Sequence, residues 1–358
     1  MHFEPENNPT RAISISFCTV CMNRLHHLKQ TLPQNIKDNI HYKEVEFLIL
    51  DYHSSDGLQE WIFTCYPDLI SSGTIKFYRT EEPDYFLRSH SRNMAFNNAS
   101  GDVLCNIDAD NFTGPAFADY INDFFAANEN CFITPAYTSR DVMGRLVVSK
   151  KDFLKVRGYN EQLEGYGYDD VEIYKRLETN HLRHAYINDN RYLSVIHHSH
   201  VERYENEYLA QNVVKMMICY LQPDRSRLCY FYKDGRYECG EIMDPSVMSY
   251  EAGQGGDDIV LDGDWEEGLW KQEKHSITMV KANRSTEWIR NQLQNSYSDG
   301  QSVFFEITEQ ELSDQVVLIR TEIANRKIFT DNLKRTKFQI INPDGYGKGH
   351  VKRCYDSE

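Results

Sequence analysis

The clearest chemistry-bearing pattern in the 358-residue chain is Asp108-Ala109-Asp110, which directly follows the apolar run DVLCNI. Residues two apart at the end of an extended strand point in the same direction. Two such carboxylates can hold a hard divalent cation through oxygen, and that cation commonly completes its shell with substrate phosphates. A solvated, Asp-rich loop before a helix would use the same residues, so the pattern alone leaves both interpretations open.

A second acidic cluster lies in GYGYDDVE (165–172), where Asp169 and Asp170 begin a predicted helix. Gly165 and Gly167 make the preceding segment pliable. Acidic residues in a first helical turn are favoured by the macrodipole, which is an adequate structural explanation. A carboxylate that is ionised at neutral pH can also act as a general base toward an acceptor hydroxyl.

Three histidines, His197, His198 and His200, follow the apolar pair Val195 and Ile196. A histidine at a strand end is more often packed or exposed than a metal ligand. Three within four residues make metal coordination about as well supported as a packed or exposed position, so both interpretations stay open.

Other polar residues stand where a nucleotide could bind. Arg92 and Asn93 lie near the start of a short predicted helix (91–100), where an arginine and a helix N-terminus can receive phosphate or a nucleoside. Asp51 ends a predicted strand before the turn HSSDG and can accept a hydrogen bond from a base or a ribose. Each also has an ordinary explanation, as a surface arginine or as part of a turn.

The elements that must position these residues alternate between strand and helix over the first two hundred residues. Strands are predicted at 11–20, 45–51, 75–80 and 102–108, with helical patterns between them. This order implies an α/β fold with a mostly parallel sheet and helices on both faces. Ligands of such sheets bind at the carboxyl ends of the strands, where the acidic residues cluster.

Composition narrows the function classes. The chain has 39 Lys and Arg against 54 Asp and Glu, a net charge of −15, with 41% apolar and 26% charged residues. This is globular usage, and the acidic balance argues against nucleic acid as a partner. A diphosphate ligand would need a metal or a local basic patch. No apolar run approaches ~18 residues and no secretory signal is visible, so we expect a cytoplasmic protein.

Nine cysteines are spread without the spacing of a disulfide framework. Cys18 and Cys21 form a lone C-x-x-C inside an apolar run, and we expect them to pack in the core.

Four regions are predicted along the chain. Residues 1–205 form the α/β domain, 206–250 a helical extension and 251–268 an acidic, Gly-rich loop or linker. Residues 269–358 form a smaller C-terminal α+β region of unknown role.

In their order, these segments resemble the GT-A fold glycosyltransferases, specifically family-2-like enzymes whose second half is of the β-1,4-galactosyltransferase type. The resemblance covers about residues 12–205. CMNRLHHL (21–28) is similar to the family's nucleotide segment F-R-N-R-x-x-H-L, HSRNMAF to its second arginine element, and NIDADN to its metal-binding D-x-D. SKKDFLKVRGYNEQLEGYGYDDVEIYKRL resembles the acceptor-site segment, and IHHSH resembles I-R-H-S-R.

The resemblance implies a role for each matching residue. Asp170 would be the catalytic base and Asp169 would orient the acceptor sugar. Asp110 and His198 would bind the metal, Mn2+ or Mg2+, with Asp108 assisting. The donor nucleotide sugar would be contacted by Arg24, Asp51, Arg92, Asn93, Asp108, Tyr166 and Gly167.

Two positions depart from the family pattern. Met22 replaces an arginine that contacts the donor, and Val195 replaces a methionine metal ligand. The coordination shell must therefore differ from that of the family.

The activity implied is inverting, metal-dependent transfer of galactose or N-acetylgalactosamine from a UDP-sugar to a hydroxyl of a glycan or glycolipid acceptor, as in polysaccharide biosynthesis, with peripheral contact to the inner membrane. Loop 164–168 would close over the donor. One alternative is a catalytically degenerate GT-A fold that acts as a carbohydrate-binding or scaffold module. A nucleotidyltransferase is disfavoured because CTVCMNRLHH after the first strand contains no glycine.

Overall fold

The computed structural model describes residues 12–136, 140–243, 260–292, 295–334 and 341–355. The chain divides into two compact units, Met1–Ser199 with Ile328–Glu358, and His200–Lys327.

The first unit is built on an eight-stranded sheet with the order β16-β3-β2-β1-β4-β6-β5-β7. The pairs β1–β2, β2–β3, β1–β4 and β5–β7 are parallel, whereas β6 and β16 pair antiparallel with their neighbours. The strands are β1 (Ile15–Cys21), β2 (Val45–Tyr52), β3 (Ile75–Thr80), β4 (Val103–Asn106), β5 (Cys131–Pro135), β6 (Val147–Ser149), β7 (Arg183–Ile187) and β16 (Lys352–Cys354).

Helices cover both faces of this sheet, and they are α1 (Leu25–Asn39), α2 (Leu58–Cys65), α3 (Pro67–Ser71), α4 (Arg88–Asn98), α5 (Phe117–Ala127), α6 (Lys150–Lys155) and α7 (Asp169–Thr179). The central strands are apolar on both sides because both sides are covered. Phe17 and Ile49 belong to one core cluster, while Cys18 and Leu48 belong to the cluster on the other face. The predicted α/β class with a mainly parallel sheet is confirmed, and Cys18 and Cys21 pack in the core.

The last residues of the chain belong to the first unit. β16 adds to the edge of the sheet beside β3. The Nε of Arg157 donates to the carbonyl of Ile341 at 2.8 Å, and the side-chain amide of Asn342 donates to the carbonyls of Arg157 and Tyr159, each at 2.8 Å. These last residues fall within 269–358, the predicted C-terminal region of unknown role.

The second unit contains a closed eight-stranded barrel with the order β10-β11-β12-β13-β14-β15-β8-β9. Two short helices precede it and a long helix, which contains the unit boundary, follows it. The elements are α8 (His200–Tyr204), α9 (Tyr208–Asn212), β8 (Val213–Gln222), β9 (Arg225–Tyr232), β10 (Arg236–Met243), β11 (Val260–Gln272), β12 (Ser276–Lys281), β13 (Arg284–Arg290), β14 (Ser296–Ser298), β15 (Val303–Glu306) and α10 (Gln310–Lys334).

The barrel corrects two expectations. Within 206–250, residues 213–243 form three strands instead of a helical extension, because buried Cys229 and Phe231, like Tyr237 and Cys239, alternate with the period of two that suits a half-buried strand. Within 251–268, residues 260–268 belong to β11, and 251–259 lie outside the described residues. Cys229 and Cys239 face each other across β9 and β10 and form a disulfide, and none of the other seven cysteines, all of which the structure describes, is disulfide-bonded.

Among the described residues, no helix combines the length and the apolar character needed to cross a bilayer.

Candidate active site

The Asp108–Asp110 segment follows β4 and is held by polar side chains of α1. Thr31 Oγ1 donates to the carbonyl of Ala109 at 2.6 Å, and Asn35 Nδ2 donates to the carbonyl of Asn111 at 3.0 Å. Thr31 and Asn35 are four residues apart and therefore lie on one helix face. The fully buried Arg145 donates to Asn111 Oδ1 at 3.1 Å from the other side. The D-x-D loop is thus fixed by buried hydrogen bonds, which a solvated loop would lack.

Backbone pairing brings His198 to this loop. Phe112 N donates to the carbonyl of Ser194 at 3.0 Å, and Ile196 N donates to the carbonyl of Asp110 at 2.9 Å. Val195 takes part in the intervening bridge, with Asn111. The side chain two residues beyond Ile196 lies on the same side of the extended segment. His198 Nε2 consequently lies 2.9 Å from Asp110 Oδ2.

The donor set of this pair suits a divalent cation. The imidazole nitrogen of His198 and the carboxylate oxygen of Asp110 are close enough to share one ion, and both side chains are nearly buried. Carboxylate and imidazole together suit first-row metals such as Mn2+. His197 points elsewhere: its ring is 76% exposed, and its Nδ1 lies 3.0 Å from Asp141 Oδ2. The side chain of His200 lies outside the described residues.

His27 is a neighbour of the pair that sequence reasoning did not assign. It is buried on α1, and its ring centroid lies 5.8 Å from that of His198. The signal was present, because His27 occupies the histidine position of the matching F-R-N-R-x-x-H-L segment.

Arg92 joins the D-x-D loop to the second acidic cluster. Its Nη1 donates to Asp169 Oδ2 at 2.7 Å and to Asp170 Oδ1 at 2.9 Å, and its Nη2 donates to Asp108 Oδ1 at 3.4 Å. Gly144 leaves room for this arrangement, since a Cβ there would come within 2.6 Å of both Arg92 Nη2 and Asp108 Oδ2. Burial would lower the pKa of Arg92, but the three carboxylates raise it well above its ordinary value. Arg92 therefore stays charged and holds the carboxylates together.

Asp170 has an unusual acidity in this cluster. Burial first, and then the charges of Asp169 and Asp108, raise its pKa to about 8, against the opposing charge of Arg92. Its side chain keeps 21% exposure, whereas that of Asp169 keeps 9%. Asp170 is therefore the more accessible of the two carboxylates.

The segment before α7 adopts the sharp conformation that its glycines permit. Gly167 has φ 99° and Tyr168, the N-cap of α7, has φ 67°. The guanidinium carbon of Arg88 lies over the ring of Tyr166, 5.0 Å from the ring centroid. Arg88 is one turn before Arg92 on α4, so this segment lies beside the acidic cluster.

The remaining predicted donor residues occupy different settings. Arg24 is the N-cap residue of α1, at the carboxyl end of β1. Asp51 is the next-to-last residue of β2, and its fully buried side chain accepts from Ser54 N at 2.8 Å and from Arg79 Nη1 at 2.5 Å. Burial raises the pKa of Asp51. Because its carboxylate is enclosed in this network, the direct donor contact expected of Asp51 is not available in this arrangement.

Asn93 likewise does not join the cluster. It is fully buried, its Nδ2 donates to the carbonyl of Tyr159 and to Glu161, and its Oδ1 accepts from Tyr159 N at 2.7 Å. The side chain fixes the turn after α6 and does not reach the surface of the site. Its expected contact with the donor is corrected to a positioning role.

The chain was compared with known proteins. Residues 126–208, less than a quarter of the chain, match the family model described as the N-terminal domain of galactosyltransferase. This segment contains both Asp169 and Asp170, and it ends beyond His198. The predicted resemblance to galactosyltransferases is therefore confirmed over these residues, and the chain carries a glycosyltransferase-type segment. No curated protein matches the chain.

Solved glycosyltransferase structures overlap about half of the chain. The mannosyltransferase PcManGT from Pyrobaculum calidifontis, in complex with GDP-Man and Mn2+, is 17% identical over 51% of this chain and 56% of its own, with a TM-score of 0.41. S. aureus TarS 1-349 is 14% identical over 49% and 58%, with a TM-score of 0.42. The catalytic domain of Drosophila β1,4-galactosyltransferase 7, in complex with xylobiose, is 16% identical over 55% and 75%, with a TM-score of 0.37. The chain thus spans a little over half the length of the first two.

Proposed function

We propose that the protein is an inverting, metal-dependent glycosyltransferase that moves a sugar from a nucleotide-diphosphate donor to a hydroxyl of a glycan or glycolipid acceptor. The observation that carries the proposal is the double connection of the D-x-D segment. Asp110 lies next to His198, and Asp108 accepts a hydrogen bond from the guanidinium of Arg92. The same guanidinium donates to Asp169 and Asp170. The candidate metal ligands are therefore connected to the candidate base through the D-x-D segment and Arg92.

Asp170 is the group that we assign as general base. In an inverting displacement the base accepts the proton of the acceptor hydroxyl while that oxygen attacks the anomeric carbon opposite the leaving diphosphate. A pKa of about 8 gives this carboxylate more affinity for the proton than an ordinary aspartate has. Asp169, paired with Arg92 at 2.7 Å and more buried, fits the role of orienting the acceptor.

The donor end of the site is assigned to Asp110 and His198, with Asp108 and His27 beside them. A bound Mn2+ or Mg2+ would supply Lewis-acid stabilisation of the leaving diphosphate. In a chain of net charge −15, such an ion also offsets the repulsion between the acidic cluster and the diphosphate. Arg24 and Arg88, at the starts of α1 and α4, supply further positive charge near the strand ends.

The donor and the acceptor follow from the resemblance. The galactosyltransferase-type segment favours UDP-galactose or UDP-N-acetylgalactosamine, and one or two side chains can change the sugar that a pocket accepts. Tyr166 and Gly167 are assigned to the sugar end of the donor. A cytoplasmic enzyme of polysaccharide biosynthesis, with peripheral contact to the inner membrane, remains our proposal for its setting.

The alternative is a module that retains the fold and binds carbohydrate without catalysis. The buried hydrogen bonds that fix the D-x-D loop and the pairing of His198 with Asp110 favour the enzyme, because a scaffold has no need of a metal–nucleotide site.

The test is nucleotide release from a panel of UDP-sugars and GDP-mannose, with and without Mn2+, for the wild type and Asp110→Ala. If the wild type slowly hydrolyses one donor in the presence of Mn2+ and Asp110→Ala does not, the result would support the enzyme and identify its donor. No release from any donor, together with no Mn2+-dependent UDP binding by calorimetry, would contradict it and favour the carbohydrate-binding module.

A further inference from the structure

The barrel of the second unit contains a cavity of about 390 Å³ that the proposed transferase reaction does not use. Small eight-stranded barrels are either filled by inward side chains or hold one small ligand. Cys229 pairs with Cys239 and Arg227 with Glu241 across β9 and β10, and residues two apart on a strand share a face. Since Cys229 and Cys239 belong to the barrel core, Arg227 and Glu241 also point into the lumen.

One guanidinium, that of Arg227, and three carboxylates, those of Glu241, Glu266 and Asp299, line the cavity. Arg227 forms an ion pair with Glu241. Glu266 lies 3.5 Å from Lys281 Nζ. Asp299 Oδ1 accepts from two backbone N–H groups of its own turn, at 2.9 and 2.7 Å. Because the carboxylate acceptors outnumber the single guanidinium of the lining, the cavity suits a ligand that brings several hydroxyl donors and disfavours an anion.

Aromatic and apolar side chains form the rest of the lining. Trp288 stacks on Phe304 with ring centroids 3.8 Å apart, and both belong to the barrel core. Tyr237 and Met279 lie beside them on the cavity wall. The rings are therefore held rigidly, and they border the cavity next to its polar groups.

From this combination we infer that the barrel lumen binds a saccharide ring. Sugar hydroxyls donate and accept hydrogen bonds at once, as a lining of carboxylates, a guanidinium and the Thr286 hydroxyl requires. The C–H face of a sugar is apolar and packs on aromatic side chains. The volume falls within the ~300–1,000 Å³ of small-molecule sites. This site lies wholly within the second unit and does not depend on the transferase proposal.

The test is calorimetry of the full chain with methyl glycosides of galactose, glucose, N-acetylgalactosamine and N-acetylglucosamine, without nucleotide or metal. Thr286 lines the cavity and is exposed, so Thr286→Trp should obstruct the lumen without changing the core. Thr278 lies on the neighbouring strand and points outward, since it alternates with the core residues Ile277 and Met279. Thr278→Trp is therefore the matched control.

We expect one glycoside to bind, Thr286→Trp to weaken it at least tenfold, and Thr278→Trp to leave it unchanged. Binding that Thr286→Trp leaves intact would place the saccharide outside the lumen and overturn the inference. No binding of any of the four glycosides at millimolar concentration would also overturn it. If Thr286→Trp does not fold, Arg227→Met gives the same readout by removing a lumen donor. A lack of glycoside binding would not affect the nucleotide-release assay of the first unit, so each proposal can be rejected without the other.

Discussion

Arg92 Nη1 lies 2.9 Å from Asp170 Oδ1, so the residue assigned as base is paired with a buried cation that also holds Asp169 and Asp108. This pairing fixes the carboxylate in space. Its pKa nevertheless stays high, because burial and two neighbouring carboxylates outweigh one shared guanidinium.

Replacing the base should reduce turnover and spare donor binding. We expect Asp170→Asn to lower kcat by ~10²–10⁴-fold, the usual contribution of a general base, with the KM for the donor nearly unchanged. Steady-state kinetics with the donor that the nucleotide-release panel identifies measures both quantities. Glu178→Gln, at the far end of α7 and partly exposed, is the control and should retain wild-type rates. Normal turnover in Asp170→Asn would show that another group accepts the proton.

Activity should depend on pH through the same group. Because Asp170 must be ionised to act as a base and its pKa is raised to about 8, we expect kcat/KM to increase with pH up to about 8. An ordinary aspartate would give a flat profile above pH 5. A profile that is flat between pH 5 and 9 would contradict the assignment.

The free energy of unfolding should decrease with increasing pH, whereas kcat/KM should increase. The folded pKa of Asp170 lies above its ordinary value of 3.8, so the folded state binds this proton more tightly than the unfolded state does. The stabilisation that results is complete below about pH 4 and is lost as the pH rises through about 8. Asp170→Asn lacks this dependence, and we expect its melting temperature relative to wild type to increase between pH 5 and 9. A constant difference would contradict the raised pKa.

Removing the central cation should damage the fold as well as the activity. Arg92→Met leaves three carboxylates together without their shared partner, and one of them, Asp169, is buried. Breaking a buried ion pair on one side costs about 3–5 kcal/mol, which urea unfolding would detect. Arg191→Met removes an exposed arginine of the same unit, and we expect it to change the free energy of unfolding little. Equal losses of unfolding free energy in the two variants would show that Arg92 contributes no more to stability than an exposed arginine does.

The alternation of apolar strands and helices was sufficient to predict the sheet. The segment VEFLILD ends in Asp51 and DVLCNI is followed by Asp108, and both are mainly apolar, so the buried strands and the acidic edge could be predicted directly. The motifs also predicted Asp110 beside His198, a contact between residues 88 positions apart. Asp51 and Asn93 were predicted less well, because a polar residue at a strand end or in a helix can face a ligand or serve the fold. The hydrogen bonds of Asp51 with Arg79 and of Asn93 with Tyr159 show that both side chains serve the fold, and these partners are distant in the sequence.

The barrel and the returning C-terminus were missed for different reasons. Barrel strands are short and carry polar residues on the outer face and in part of the lumen, which weakens the alternating pattern in segments such as RYECGEIM. The return of residues 341–355 depends on backbone carbonyls that accept from Arg157, and a carbonyl leaves no trace in the sequence.

That return gives a stability prediction of its own. Asn342→Ala removes two hydrogen bonds to the carbonyls of Arg157 and Tyr159 and leaves these groups without this donor. We expect a loss of about 1–3 kcal/mol in the free energy of unfolding, measured with urea. Asn188→Ala, at an exposed position, is the control and should change it little. A neutral effect of Asn342→Ala would mean that the C-terminal residues add little to the first unit.

The most direct test of the central claim compares two adjacent histidines in Mn2+-dependent UDP binding by calorimetry. His198 lies 2.9 Å from Asp110, whereas His197 is largely exposed and lies beside Asp141. We predict that His198→Ala weakens UDP binding in the presence of Mn2+ at least tenfold, and that His197→Ala binds as the wild type does. Equal binding by both variants, or UDP binding in the wild type that does not depend on Mn2+, would contradict a metal–diphosphate site at Asp110 and His198.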